Sequence, residues 1–278
     1  MVIWPTGIFT SINDGLGASL DAVHELGVET VQLHAPSIAN RSHEDIQKIS
    51  RLFSEINVEI SVVFVGFPED DYSTIEKVKE TVGIVPPLYR SKRLAETLEV
   101  ANFAKSLSVD AIGMHLGFVP EDQNNRLFAE IVESTRRVCD HCALNDQFFH
   151  LETGQETADG LLGFIEAVDR GNLAINFDPA NMILYGSGDP LDALEKVGSF
   201  VRSVHCKDAT YERRPDQPWY EDAPLGEGDI DIEAFLSKLY SLGYRGPLTI
   251  EREYSPNQKG DIAKALNLLR FLRKKICG

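Results

Sequence analysis

Phe200-Val-Arg-Ser-Val-His-Cys-Lys-Asp208 is a run of strand length in which apolar and polar residues alternate, and it closes on His205 with Lys207 and Asp208 behind it. Three other runs of the same type also end in a side chain that can bind a metal. They are Phe148-Phe-His-Leu-Glu152, Leu173-Ala-Ile-Asn-Phe-Asp178 and Pro247-Leu-Thr-Ile-Glu251. As parallel neighbours in a closed sheet, these strands would open their carboxyl ends onto one face, where Glu152, Asp178, His205 and Glu251 converge. Three carboxylates and one imidazole form a hard, oxygen-rich set for one divalent cation. Mn²⁺, Mg²⁺ or Co²⁺ suit it best, and Zn²⁺ or Fe²⁺ are compatible.

Working outward, strand-like and helix-like patterns alternate along the whole chain. Strands are predicted over 3–10, 28–34, 58–65 and 110–115, ahead of the four that end in candidate ligands. Helices are predicted over 16–26, from Ser42 onward, and over 91–107, 123–142, 158–169, 190–198, 232–242 and 262–276. Ser42 followed by Glu44 and Asp45 is a good helix start, because its hydroxyl can cap and the acids suit the dipole. Strict alternation implies βαβ units and a parallel sheet. Eight such units in 278 residues fit a single-domain (β/α)₈ TIM barrel spanning 1–278. Residues 66–90 interrupt the rhythm after the third strand, where a long insertion can cover a site. Neither a G-x-G-x-x-G after the first strand nor a P-loop motif occurs, so the dinucleotide-binding and P-loop readings have no support.

Composition narrows the partners. Forty-three acidic residues against 27 basic ones give a formal charge of −16, which argues against a nucleic-acid partner. No run approaches the ~18 apolar residues of a membrane span, and Met1-Val-Ile-Trp-Pro-Thr-Gly7 lacks the basic and apolar regions of a secretory signal. A cytoplasmic protein is the expectation. Four cysteines suggest no disulfide framework. Cys139-Asp-His-Cys142 falls in a predicted helix and reads as two packed cysteines. Residues two apart share a face of a strand. His150 therefore accompanies Glu152, Asn176 accompanies Asp178, Lys207 accompanies His205 and Glu253 accompanies Glu251, while Cys206 faces the helices.

Leu151-Glu-Thr-Gly154, Phe177-Asp-Pro-Ala-Asn181, Val204-His-Cys-Lys-Asp208, Leu225-Gly-Glu-Gly-Asp-Ile230 and Thr249-Ile-Glu251 stand in one order over most of the chain. In this the sequence resembles the xylose isomerase-like TIM-barrel superfamily, in its sugar (phosphate) isomerase/epimerase branch with D-tagatose 3-epimerase-type enzymes. The resemblance implies that Glu152, Asp178, His205 and Glu251 hold one divalent cation. It also implies that Glu152 and Glu251 are the catalytic acid/base pair. The activity implied is isomerisation or epimerisation of a ketose, sugar phosphate or cyclitol through a metal-stabilised enediolate. Dimers and tetramers are common in that family, so a homo-oligomer is part of the same expectation.

The chain departs from the ketose-epimerase pattern at Asn181, where those enzymes commonly have histidine. Glu156 is only an approximate counterpart of their second substrate-binding glutamate. Lys207 is typical of a wider set that includes inosose-type dehydratases. A metal-dependent dehydratase is therefore the alternative, in which a β-hydroxyl departs instead of the proton returning. A non-catalytic sugar-binding barrel is a third class, and the substitutions at Asn181 and Lys207 speak against a zinc endonuclease. Expected substrate contacts to a sugar or polyol ketone are His34, His115, Asn181, Lys207 and Glu156. Gln32 is expected to serve packing, and Trp4 and Phe67 to fill the core in preference to stacking on the apolar face of a sugar ring. Arg213 and Arg214 are either a clamp for an acidic group or a solvated loop pair.

Overall fold

Side-chain caps set most of the helix starts. The structure is a computed structural model that describes residues 3–12, 16–212, 219, 221–253 and 255–278. Its elements run β1 (Thr6–Thr10), α1 (Leu20–Leu26), β2 (Thr30–His34), α2 (His43–Glu55), β3 (Glu59–Val65), α3 (Ile75–Thr81), α4 (Pro87–Ser106) and β4 (Ala111–Met114). They continue with α5 (Arg126–Leu144), β5 (Phe148–Glu152), α6 (Ala158–Val168), β6 (Leu173–Phe177), α7 (Pro179–Tyr185), α8 (Pro190–Val197), β7 (Val201–Cys206), α9 (Ile232–Ser241), β8 (Leu248–Ile250) and α10 (Gln258–Cys277). Arg213 and Arg214 lie outside the described residues.

All eight strands are parallel and close in sequence order, with Ile8 of β1 opposite Ile250 of β8. The predicted TIM barrel is the observed one. Outward-pointing strand residues such as Val31, Val63, Ile112, Phe149, Phe177, Val204 and Cys206 join the apolar faces of the helices in the main core. Cys139 and Cys142 are buried in that layer too, and burial pushes both thiols up to about 12, so they behave as packing groups. A small second cluster of Phe9, Val62, Phe64 and Ala111 sits apart from it. No helix of the described residues is long and apolar enough to cross a membrane.

Differences from the sequence expectation have local causes. Helix α1 begins at Leu20 rather than 16, because Ser19 caps it by accepting from Ala22 N. Helix α5 begins at Arg126, capped by the Asn125 side chain. Two helices were not expected. Helix α3 lies within the 66–90 insertion, and α7 follows β6 directly. The signals for α7 were present: Asp178 is its cap, Pro179 occupies the first turn, and Gly186 ends it in the left-handed region at φ 70°.

Asp208 explains why His-x-Lys-Asp and Leu-Gly-Glu-Gly occur together. Its Oδ1 accepts from Ala209 N and Ile230 N, and its Oδ2 accepts from Gly226 N and Gly228 N, at 2.9–3.2 Å. One carboxylate thus replaces water for four backbone donors and pins the loop ahead of α9 to the end of β7. A Cβ on Gly228 would stand 2.2 Å from Asp208 Oδ1, so the close approach requires glycine there. Asp208→Ala strands those donors and is expected to lower unfolding free energy by about 2–3 kcal/mol in chemical denaturation. A change within 0.5 kcal/mol of zero, about the scatter of surface substitutions, would show that the loop holds without it.

Candidate metal centre

Asp178 serves two functions with two oxygens. Its Oδ1 caps α7, accepting from Ala180 N at 2.8 Å and Asn181 N at 3.0 Å. Its Oδ2 is buried and has no hydrogen-bond partner. A buried carboxylate oxygen left without a donor is costly. Here Oδ2 faces His205 Nδ1 at 3.7 Å and Lys207 Nζ at 3.9 Å.

His205 is oriented from behind. Its Nε2 donates to Gln32 Oε1 at 2.7 Å, which leaves Nδ1 pointing at the carboxylates. That acceptor is held in turn. Gln32 Nε2 donates to Asn176 Oδ1 at 3.1 Å, the Ser203 hydroxyl donates to the same oxygen at 2.6 Å, and His150 Nδ1 donates to Ser203 Oγ at 2.8 Å. The ring is also packed by Phe64 and Phe9, with centroids at 5.1 and 5.6 Å. Gly113 makes the Phe64 position available, since a Cβ there would meet that ring at 2.5 Å. A histidine whose second nitrogen donates to a fixed acceptor is the usual arrangement around a bound metal.

Around Nδ1 the carboxylates close in: Glu152 Oε1 at 2.9 Å and Glu251 Oε2 at 3.3 Å. One ligand atom from each of Glu152, Asp178, His205 and Glu251 lies within 4.8 Å of the others. The partnerless oxygen, the oriented imidazole and the convergent carboxylates fit a single divalent cation. The donor set is hard, as the strand ends predicted, and favours oxygen-loving ions.

Charge around the cluster is strongly graded. Burial raises Glu152 and Asp178 above the ordinary carboxylate range, against the pull of neighbouring cations. Burial would raise Glu251 too, but His205 and Lys207 beside it hold it far below that range. His205 is pushed well above the usual imidazole range because Glu251 and Glu152 outweigh its burial. A proton and a divalent cation compete for the same Nδ1, so cation binding releases a proton. Lys207 Nζ lies 2.9 Å from Glu251, 3.4 Å from Glu253 and 3.4 Å from Asn181 Oδ1. These carboxylates keep its ammonium charged despite burial.

Glu152 and Glu251 of the cluster line a cavity of about 650 Å³. Of the expected substrate contacts, His34, His115, Asn181 and Lys207 line it; Glu156 does not. Glu156 Oε1 accepts from Val119 N at 3.0 Å and braces the loop after β4. Gln155, its neighbour, takes the position against His115 Nε2, which also meets the Tyr185 hydroxyl at 3.1 Å. Trp4 is wholly buried core, donating to Tyr244 O, as expected. Phe67 is buried but also forms cavity wall.

Several residues at or behind the cavity wall were given no functional role from sequence. Glu253 was legible, being two residues from Glu251 on the same face. Tyr185 follows from α7, and Tyr72 from the insertion, which does border the site. Gln32 carried no signal beyond its alternation, because its role depends on a strand far away in sequence.

Burial and the nearby Arg41 guanidinium lower His34 to about 4, while burial and Lys207 lower His115 to about 3. Both rings are therefore neutral at pH 7 and can each donate and accept. Histidine-labelled NMR should show both resonances unshifted between pH 8 and pH 6, with the His34 midpoint near 4. A midpoint at the ordinary ~6.5 would mean that the cavity is wetter than its geometry indicates.

Known proteins bear on this geometry. A family model described as a xylose isomerase-like TIM barrel matches residues 20–274. A xylose isomerase domain protein from Planctomyces limnophilus is 47% identical in sequence, with a TM-score of 0.94 over 99% of both chains. A D-tagatose 3-epimerase-like protein is 19% identical, with a TM-score of 0.75 over 98% of this chain and 100% of its own; that likeness is one of fold. Inosose dehydratase of Geobacillus kaustophilus is 29% identical over 119 residues, which span 39% of this chain and 38% of that protein.

Proposed function

Because the chain belongs to the xylose isomerase-like TIM-barrel family, we propose that it is a divalent-metal-dependent isomerase or epimerase that moves a proton beside the carbonyl of a ketose, sugar phosphate or cyclitol. One observation carries the reading. Of the four candidate ligands, Glu152 and Glu251 line the cavity, whereas Asp178 and His205 lie beneath its floor.

Glu152, Asp178, His205 and Glu251 would hold the cation, which supplies positive charge to the ketone and hydroxyl oxygens of a bound substrate. Glu251, paired with Lys207 at 2.9 Å, is placed to take a proton from a bound substrate, and Glu152 to return one. Asn181 fixes Glu152 by donating from Nδ2 to its Oε1 at 3.3 Å. His115, Tyr72 and Tyr185 bring hydrogen-bonding groups to one wall, and Phe9 and Phe64 bring apolar surface to the other.

A dehydratase is the second reading, supported by the partial likeness to inosose dehydratase. The Tyr72 and Tyr185 hydroxyl-bearing rings on the cavity wall give a departing hydroxyl a proton source there. Incubation with ketoses, inososes and keto acids in D₂O with Mn²⁺ separates the two. Deuterium on the carbon beside the carbonyl of recovered or epimerised ketone supports the isomerase, and net loss of water supports the lyase. Failure of every compound either to exchange or to lose water at full metal occupancy would sink both.

A further inference from the structure

Glu253 lines the same cavity and has no part in the chemistry just described. Its place is fixed by the residue before it. Arg252 Nη1 pairs with Asp222 Oδ1 at 2.7 Å, its Nε donates to Asp261 Oδ2 at 3.1 Å, and its backbone oxygen accepts from Gln258 Nε2 at 2.6 Å. Arg252 is thereby turned toward α10, and Glu251 and Glu253 on either side of it are turned to the cavity. Glu253 keeps 21% of its side chain exposed, against 7% for Glu251. Burial pushes the Tyr72 and Tyr185 phenols well above their ordinary range, and Glu152 and Glu253 are among the groups that push them further. These four side chains therefore share one space.

One oxygen of Glu253 is engaged and the other is open. Lys207 Nζ reaches Oε2 at 3.4 Å, the long end of a hydrogen bond, while the same ammonium bonds to Glu251 Oε2 at 2.9 Å and Asn181 Oδ1 at 3.4 Å. Among the described residues no donor reaches Oε1, and that oxygen is not sealed inside the protein. An ionised carboxylate accepts hydrogen bonds and donates none. Direct contact with Oε1 therefore suits a hydroxyl and offers nothing to a ketone, a phosphate or a substrate carboxylate. The Lys207 ammonium beside it disfavours a second cation at the same point.

We propose that Glu253 is a specificity-determining residue whose Oε1 accepts from one hydroxyl of the substrate, on a carbon outside the pair that carries the carbonyl and the mobile proton. The arrangement selects a substrate hydroxylated at that carbon over one that is deoxy, keto or phosphorylated there. This rests on the functional reading above only in taking the ligand to be a polyol.

The test is calorimetric binding to the full chain saturated with Mn²⁺, which needs no turnover. Xylitol, D-glucitol and myo-inositol, which lack a carbonyl, are the first probes, followed by the monodeoxy analogues of whichever binds tightest. At the carbon that meets Glu253, loss of the hydroxyl should weaken binding about tenfold or more, the size of a hydrogen bond to a charged group. In Glu253→Ala the parent polyol should weaken by a similar factor. The penalty at that one carbon should fall to within about twofold of unity, while penalties at the other carbons stay. Glu253→Gln keeps an acceptor oxygen and should retain part of the penalty at the same carbon. A role confined to holding Lys207 would weaken every analogue together and leave the pattern of penalties unchanged. That outcome, wild-type affinity in Glu253→Ala, or failure of all three polyols to bind would each overturn the proposal. A chain that shows the position-specific loss but exchanges no deuterium sinks the isomerase reading alone; one that exchanges but shows no such loss sinks this proposal alone.

Discussion

Asp178→Asn should weaken Mn²⁺ binding on the order of 100-fold or more while leaving the thermal midpoint within a few degrees of wild type. Asparagine can still cap α7 through its carbonyl oxygen, as Oδ1 does for Ala180 and Asn181. What the substitution removes is the negative charge and the partnerless Oδ2 aimed at His205 Nδ1. A lost ligand should cost more than the 10–100-fold typical of a lost outer partner. Asp178→Ala serves as the contrast, losing the cation and also about 1 kcal/mol of helix capping. Isothermal titration with Mn²⁺ and a thermal melt on each variant separate the two functions. Unchanged affinity in Asp178→Asn would remove this carboxylate from the metal centre.

Gln32→Leu should lower cation affinity 10–100-fold without touching any of the four candidate ligands. Leucine fills the space but offers no acceptor to His205 Nε2–H, so the imidazole loses the bond that points Nδ1 at the carboxylates. The same change strips Asn176 Oδ1 of one of its two donors, although Ser203 still supplies the other. Gln32→Glu retains an acceptor at the same reach and should recover most of the affinity. If both variants bind Mn²⁺ as wild type does, the packing of His205 by Phe9 and Phe64 is sufficient to orient it.

Part of this molecule could be read directly. Outward residues such as Val204 and Cys206 and inward ones such as Ser203 and His205 alternate along β7, so the period of two announced both the strand and its two faces. Repeated eight times with intervening helical periods, that pattern admits little besides a parallel barrel. The barrel then brings consecutive strand ends together, which is why Glu152, Asp178, His205 and Glu251 were visible as a group. Helix α7 was also legible in Asp178, Pro179 and Gly186, although the position of Asp178 at a strand end concealed its second role as a cap.

Other features depended on contacts between distant segments. Glu156 and Gln155 are adjacent in sequence, and only the path of the loop after β4 decided that Gln155 approaches His115 while Glu156 binds Val119 N. Gln32 looked like packing because its partner, His205, lies across the barrel and 173 residues away. Sequence periodicity carries direction, inward or outward, for each residue on its own strand. It carries no information about which inward side chains meet across the barrel, because that follows from strand tilt, register and the fit of neighbouring rings. The amino-acid sequence therefore determined the barrel and the grouping of the four candidate ligands by itself. The orientation of His205 and the split use of Asp178 were decided by tertiary structure, where segments with no local relation compete for the same few ångströms of space.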